Sequence, residues 1–141
     1  MAMLASNAQF VNWILKVKSN IDSGQFKPMQ LAAVEALKAP KEWYDTMNRT
    51  YRKRRDLAGK IMQALNCSYD EKQVGLFLWG KIPTNSLGSE AMADKVLYEA
   101  NVFITPGFIF GSGGNRHIRI SLCCKEEMLQ EALKRINKLQ A

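Results

Sequence analysis

The sequence predicts an α+β fold in which a long helix precedes a β-α-β-β-α arrangement, with the helices covering a small sheet. From Lys41 to about Leu65, apolar residues recur at spacings of three, four or multiples, as they do along one face of a single helix: Trp43, Met47, Leu57, Ile61 and Leu65. Val74–Ile82 is apolar at most positions, which is typical of a strand buried on both faces. His117–Leu122 alternates apolar and polar side chains, which indicates a strand with one buried face.

Shorter elements complete this order. Further helices are expected over residues 7–16, from Met29 to about Lys38, over Ser89–Ala100 and at the C-terminus with Met128, Ala132, Leu133, Ile136 and Leu139 on one stripe. Ser89 and Cys124 are the expected N-caps of the last two helices. Asn66 and Asn101 are expected to end helices in the left-handed conformation. Val102–Ile104 predicts a short strand.

Composition indicates a folded globular chain of one domain's size. The 141 residues are 47% apolar and 23% charged, which argues against disorder. No apolar run approaches the roughly 20 residues of a membrane span, and the N-terminus lacks the pattern of a signal peptide. Three cysteines and one histidine form neither a disulfide framework nor a zinc site, so no metal is expected. A reducing, cytoplasmic location follows from this cysteine usage.

The positive charge is concentrated in one stretch. The net charge is +7, and five of the basic side chains fall within residues 49–55. Such a run on a helix is typical of a solvated face. It also leaves open a small basic α+β module that binds nucleic acid or another protein. Such a nucleic-acid module would place aromatic side chains on an exposed sheet face beside basic ones, whereas Phe77 and Trp79 lie in the strand expected to be buried on both faces.

Two further features suggest ligand binding. Gly111–Asn115 is rich in glycine, but a phosphate loop needs a helix directly after it, and a strand is expected there. The loop is therefore expected to be mobile. Arg119 lies within the alternating strand, where its planar guanidinium suits a carboxylate. The pattern alone equally describes an arginine on the solvated face of that strand.

The order of several short segments resembles one enzyme family. The segments are Lys18–Gly24, Tyr51 with Arg54–Asp56, Val74–Pro83, Ala93–Ala100, Val102–Gly107, Phe110–Gly111 and Arg116–Ser121. In this order they resemble the C-terminal portion of class I/II aminotransferases, fold-type I enzymes that depend on pyridoxal phosphate. The chain is similar to the relatives of aspartate and LL-diaminopimelate aminotransferases in particular. The resemblance covers nearly the whole chain.

The resemblance implies a division of the chain and a role for one arginine. Residues 1–40 would be the tail of the large cofactor-binding domain, and residues 41–141 the small C-terminal domain with the long interdomain helix. Arg119 matches the arginine that binds the substrate α-carboxylate in this family. The segment with Asn20, Ser23 and Gly24, expected to be a loop from its polar composition, would lie near the active site. The substrates would be an amino acid and a 2-oxo acid, and the parent enzyme would be a homodimer without membrane or nucleic-acid partners.

One part of the family pattern has no counterpart in this chain. The lysine that forms the Schiff base with pyridoxal phosphate precedes a segment similar to Met3–Asn7, and neither Lys16 nor Lys18 matches it. The resemblance therefore implies a fragment that is inactive alone and binds no cofactor. Its contribution to the parent enzyme would be carboxylate recognition and domain closure.

Overall fold

The computed structural model describes residues 4–139, so Met3 of the segment compared above lies outside the described residues. The chain divides into two compact units, with the boundary between Asp45 and Thr46. The first unit contains α1 (Ala8–Ile21) and α2 (Lys27–Leu37), and neither helix has a buried residue. The boundary falls inside α3 (Lys41–Ala64), whose length and position confirm the predicted long helix.

Helix α1 is longer than the sequence suggested. It continues to Ile21, so the expectation of a loop from Lys18 to Gly24 was wrong for the first four of those residues. The side chains of Ser19 and Asn20 explain the difference. Ser19 Oγ donates to the Lys16 carbonyl at 3.1 Å, and Asn20 Nδ2 donates to the same oxygen at 2.6 Å. Both side chains thus bond within the preceding turn rather than drawing the backbone out of the helix.

The second unit contains the sheet. Its elements after α3 are β1 (Phe77–Lys81), α4 (Ser89–Ala100), β2 (Thr105–Pro106), two 3-10 turns (Gly107–Phe110 and Ser112–Gly114), β3 (His117–Ser121) and α5 (Glu126–Lys138). Strand β3 is central and pairs antiparallel with β1 on one side and β2 on the other. The predicted α+β class is confirmed. Among residues 4–139, no helix is both long and apolar enough to cross a membrane.

One face of the sheet packs against helices and forms the core. Leu78 and Ile118 are fully buried, and Ile120 is nearly so. Helices α3, α4 and α5 contribute large buried side chains to this cluster: Ile61, Met62, Val96, Leu129 and Ile136. The predicted apolar stripe of α5 is wrong in one member, because Met128 is 64% exposed while its neighbour Leu129 is buried. A shift of one residue turns a helix by about 100°, which exchanges a buried position for an exposed one.

The strand predictions need two corrections. Strand β1 is shorter than Val74–Ile82 and is not buried on both faces: Val74 is 89% exposed and Phe77 41% exposed, whereas Leu78 is fully buried. Helices cover only the face of β1 that carries Leu78. The second outer strand consists of Thr105 and Pro106 rather than residues 102–104. A proline is tolerated there because β2 is an edge strand.

The glycine-rich segment is ordered rather than mobile. Ser112–Gly114 is a 3-10 turn, and Gly114 is buried. Gly114 lies directly against the backbone of Gly107, so closely that a Cβ atom on either residue would overlap the main chain of the other. This segment is therefore a packing contact between two backbone turns. Strand β3 follows it, as expected, so there is no helix N-terminus to bind a phosphate.

The helix ends give mixed outcomes. Asn66 and Asn101 adopt positive φ values of 55° and 51° after their helices, as predicted. The N-cap of α4 is Gly88, and Ser89 is buried in the first turn. The N-cap of α5 is Lys125 rather than Cys124. The Cys124 thiol instead faces the Ser121 carbonyl at 3.6 Å. The cap position is one residue later than expected because this thiol packs back toward the end of β3.

Candidate carboxylate-binding site

Arg119 occupies the middle of the central strand. Its register partners are Trp79 in β1 and Thr105 in β2. Residues directly opposite each other in antiparallel strands point to the same face of a sheet. Arg119 therefore lies on the face opposite the core, and its backbone is fixed by strands on both sides. The predicted alternation of β3 is confirmed, since Ile118 and Ile120 are buried while Arg119 is half-buried.

Two phenylalanine rings lie against the guanidinium of Arg119. Its Cζ atom is 4.1 Å from the centre of the Phe77 ring and 4.3 Å from the centre of the Phe110 ring. Both distances are well within the roughly 6 Å range of a cation–π contact. Phe77 belongs to β1, whereas Phe110 ends the 3-10 turn that follows β2. The two rings thus come from two separate segments of the chain.

A second layer of ring contacts supports this arrangement. The Trp79 ring meets Phe110 edge-on at 5.9 Å and stacks on the His117 ring at 5.2 Å with an angle of 15° between the planes. The Gln73 side chain fixes Trp79 further, because it donates to the Trp79 carbonyl at 2.7 Å and accepts from the Trp79 N–H at 2.9 Å. Ring pairs of this geometry stabilise by about 0.5–1.5 kcal/mol beyond their buried area. The aromatic surroundings of Arg119 are therefore held in place.

Arg119 differs from the other half-buried arginines in its polar contacts. Arg54 donates to the Leu122 carbonyl at 3.1 Å, Arg55 to the Gly75 carbonyl at 2.8 Å, and Arg116 to the Ser86 carbonyl at 2.6 Å. Within residues 4–139, the guanidinium of Arg119 has no hydrogen bond or ion pair. An arginine presents five N–H donors in one plane. Those of Arg119 are held in place by aromatic rings and are available to a ligand.

This geometry suits a carboxylate. A carboxylate accepts two parallel hydrogen bonds from one edge of a guanidinium, and such charge-assisted bonds are about twice as strong as neutral ones. Rings packed over a guanidinium leave its edges as the accessible donors. A planar anion that approaches in the guanidinium plane therefore fits the site.

The other residues singled out from the sequence lie in the first unit. Asn20 is in α1 and bonded to Lys16, whereas Ser23 and Gly24 follow the helix. Gly24 has a φ of +98°, and its α-carbon has open space around it. Their expected position near an active site stays a prediction.

The basic run on α3 is only partly a solvated face. Arg52 and Lys53 are exposed, as expected. Arg54 and Arg55 are half-buried and bind backbone carbonyls next to β3 and β1. No local pattern predicts these contacts, because the accepting carbonyls are 68 and 20 residues away along the chain.

Sequence reasoning did not place Phe77 and Phe110 beside Arg119, because it expected Phe77 in a strand buried on both faces. The alternation of side chains along the strand could have indicated the position of Phe77, because Phe77 and Trp79 share a face with the charged Lys81, whereas Leu78, Gly80 and Ile82 share the other face. No local signal marks Phe110, because the turn that carries it is specified by the contact between Gly107 and Gly114.

Comparison with known proteins decides the family. The chain matches the family model of class I and II aminotransferases over residues 1–136. The chain belongs to this family. The resemblance inferred from the sequence is thereby confirmed.

The family match extends to individual proteins. The LL-diaminopimelate aminotransferase of Maridesulfovibrio salexigens is 36% identical over 137 residues, which are 97% of this chain and 35% of that protein. The transaminase BacF of Bacillus subtilis is 32% identical over 140 residues, 99% of this chain and 35% of BacF. The chain therefore spans about 35% of the length of these curated relatives.

Solved structures agree with this assignment. The apo structure of BacF superposes with a TM-score of 0.80 at 31% identity, covering 97% of this chain and 35% of BacF. A probable N-succinyldiaminopimelate aminotransferase from Thermus thermophilus gives 0.77 at 32% identity, covering 92% of this chain and 34% of that one.

Proposed function

We propose that this chain forms part of an enzyme that transfers an amino group between an amino acid and a 2-oxo acid, and that Arg119 binds the α-carboxylate of both substrates. The observation that carries the proposal is the Arg119 guanidinium, which is half-buried among aromatic rings and has no polar partner among residues 4–139. No Arg119 nitrogen is among the buried, unpartnered polar atoms of residues 4–139, so its donors are open to a ligand from solvent. Family membership supplies the reaction class.

Arg119 would act by binding and orientation. An amino acid and its 2-oxo acid both carry a carboxylate on the carbon next to the one that exchanges nitrogen. Two N–H donors on one edge of the guanidinium fix both the position and the rotation of that carboxylate. Holding a substrate in one orientation removes much of the entropy cost of the later chemical step. The rigid central strand is suited to this task because β1 and β2 support it on both sides.

The family implies pyridoxal phosphate as the cofactor of the complete enzyme. When bound, that cofactor supplies the electron sink for the carbon that loses its proton. The residues of this chain do not fit the anchoring role. A lysine that forms a Schiff base is typically desolvated, whereas every lysine among residues 4–139 is exposed. We therefore assign no residue of this chain to the cofactor. Three expectations stay predictions: the chain alone binds no pyridoxal phosphate, the complete enzyme is a cytoplasmic homodimer, and this part of it contributes to domain closure.

One argument against the nucleic-acid alternative was wrong. That argument depends on Phe77 and Trp79 lying in a strand buried on both faces. The structure instead places Phe77, Trp79 and Arg119 together on the face away from the core. Aromatic rings beside a cation on an exposed sheet face also suit stacked bases. The match over residues 1–136 favours the aminotransferase function over this alternative.

An acetate titration of the 141-residue chain tests the assignment of Arg119. The Nε–Hε signals of all arginines are followed by NMR while sodium acetate replaces sodium chloride at constant ionic strength. We expect the Arg119 signal to shift with saturation, and those of Arg54, Arg55 and Arg116 to stay unchanged, because each of these guanidinium groups already donates to a protein carbonyl and Arg54 Nε is buried away from solvent. Equal, unsaturated shifts at all four arginines would mean general ion screening and would contradict the assignment.

A further inference from the structure

The two phenylalanine rings beside Arg119 have no assigned role in the function proposed above. Phe77 is 41% exposed and Phe110 is 51% exposed, so neither ring is a core residue. Each nevertheless lies close to the same guanidinium, at 4.1 and 4.3 Å from its Cζ atom. Exposed aromatic side chains contribute less to stability than buried ones, because little of their surface is removed from water. Their common contact with Arg119 therefore points to a different contribution.

We infer that Phe77 and Phe110 are positioning residues that hold the Arg119 guanidinium in one orientation before a carboxylate binds. This inference rests on the proposed role of Arg119. An arginine side chain has several rotatable bonds and loses much of its freedom when it becomes ordered. Among residues 4–139 no hydrogen bond or ion pair orders the Arg119 side chain, so the ring contacts are the interactions that do so. A ligand that meets an ordered guanidinium does not bear that entropy cost at the moment of binding.

The arrangement also selects the direction of approach. A cation–π contact uses the face of the aromatic ring, and a guanidinium stacked on that face keeps its N–H groups at its own edges. Phe77 comes from β1 and Phe110 from the 3-10 turn that packs on Trp79, so two separate segments restrict rotation of the side chain. A carboxylate can then bind edge-on through two parallel hydrogen bonds. Phe77 and Phe110 thus favour planar anions with two coplanar oxygens over spherical ones.

A neighbouring side chain provides a matched control. Phe108 lies in the same 3-10 turn as Phe110 and is 39% exposed, so its truncation changes a similar surface. Of the phenylalanine rings in the described part of the chain, only those of Phe77 and Phe110 lie against the Arg119 guanidinium. Tyrosine at position 77 keeps a ring of the same kind, whereas leucine keeps the apolar character without a ring. Comparing these variants separates the ring's contact with Arg119 from a general loss of packing.

Two NMR measurements on the 141-residue chain test the inference: the order parameter of the Arg119 Nε–Hε bond, and the acetate dissociation constant at fixed ionic strength. For Phe77→Leu and for Phe110→Leu we expect the order parameter to fall from about 0.8 to below about 0.6. The acetate dissociation constant should rise about 2- to 5-fold in each, as expected for the loss of one cation–π contact. Phe77→Tyr and Phe108→Leu should leave both values at those of the parent chain.

The possible outcomes distinguish this inference from the proposed function. If Arg119→Ala abolishes the saturable acetate response while Phe77→Leu and Phe110→Leu change neither measurement, Arg119 binds carboxylates and the positioning role is wrong. If Arg119→Ala leaves the acetate response intact, the proposed function of Arg119 fails. If Phe108→Leu lowers the order parameter as much as Phe110→Leu does, the effect is a loss of packing in the turn and the inference is overturned.

Discussion

Replacing Gly114 with alanine is expected to destabilise the fold by about 3 kcal/mol, at the upper end of the usual cost of overpacking. The Cβ atom of such an alanine would overlap the carbonyl group of Gly107. A backbone atom cannot rotate away as a side chain can, so the two turns must separate. Separation also disturbs the close packing around Gly107. A Cβ atom on Gly107 would lie 2.6 Å from the His117 carbonyl oxygen and 2.9 Å from the Trp79 ring.

Gly113 gives a control in the same 3-10 turn. A Cβ atom on Gly113 would meet no atom within 4 Å, and neither Gly113 nor Gly114 has a positive φ. Alanine at position 113 therefore mainly reduces the freedom of the unfolded chain, and we expect its stability to equal or exceed the parent's by up to about 1 kcal/mol. The two variants share the same chemistry and differ only in the space available.

Urea unfolding followed by circular dichroism measures the difference. With a slope of about 2 kcal/mol per molar urea for a chain of this size, a loss of about 3 kcal/mol lowers the midpoint by about 1.5 M. Gly113→Ala should stay within about 0.5 M of the parent. Equal midpoints for the two variants would refute the close contact between the turns, and with it the account of how Phe110 is positioned.

Three further expectations concern other parts of the chain. Arg54→Ala should lower the free energy of unfolding by about 1–2 kcal/mol, because the Leu122 carbonyl loses its donor. Arg52 is exposed, so Arg52→Ala should change the free energy of unfolding by less than about 0.5 kcal/mol, and equal urea midpoints for the two variants would contradict this expectation. Burial raises the pKa of the Cys67 thiol to about 11, so a thiol reagent at pH 8 should modify the exposed Cys123 and reach Cys67 only after unfolding; rapid modification of all three cysteines in the folded chain would contradict the burial. The free energy of unfolding should also decline between about pH 9 and 11, because in this range the thiol ionises in the unfolded chain and not in the folded one. A labelled single-stranded RNA should show no tight binding with a steep salt dependence, and a slope corresponding to several released counterions would favour the nucleic-acid alternative.

The features that local sequence specifies were predictable. The long helix α3 follows from an apolar stripe at helical spacing, and Asn66 and Asn101 end their helices because asparagine tolerates the left-handed conformation. The alternation in β3 likewise predicted which side of the strand carries Arg119. In each case the relevant interactions lie within a few residues along the chain.

The features that depend on distant contacts were not predictable. The apolar character of Phe77 and Trp79 suggested burial, but hydrophobicity does not show which face of a strand the helices cover. The order in the glycine-rich turn depends on its contact with Gly107, and the burial of Arg54 depends on a carbonyl 68 residues away. The proposed carboxylate-binding role of Arg119 rests on the family resemblance, because an arginine on a solvated face has the same local pattern.

The central claim is that Arg119 binds the substrate α-carboxylate, and a comparison of two substrates tests it most directly. An enzyme is assembled in which residues 1–141 replace the matching segment of BacF, and kcat/KM is measured for its best amino acid donor and for the amine formed by removing that donor's carboxylate. Lysine at position 119 keeps the charge and loses the planar two-point geometry. Arg119→Lys should lower kcat/KM for the amino acid by about 10- to 1,000-fold and for the amine by less than about 3-fold. An equal loss for both substrates would show that Arg119 is structural and would contradict the account.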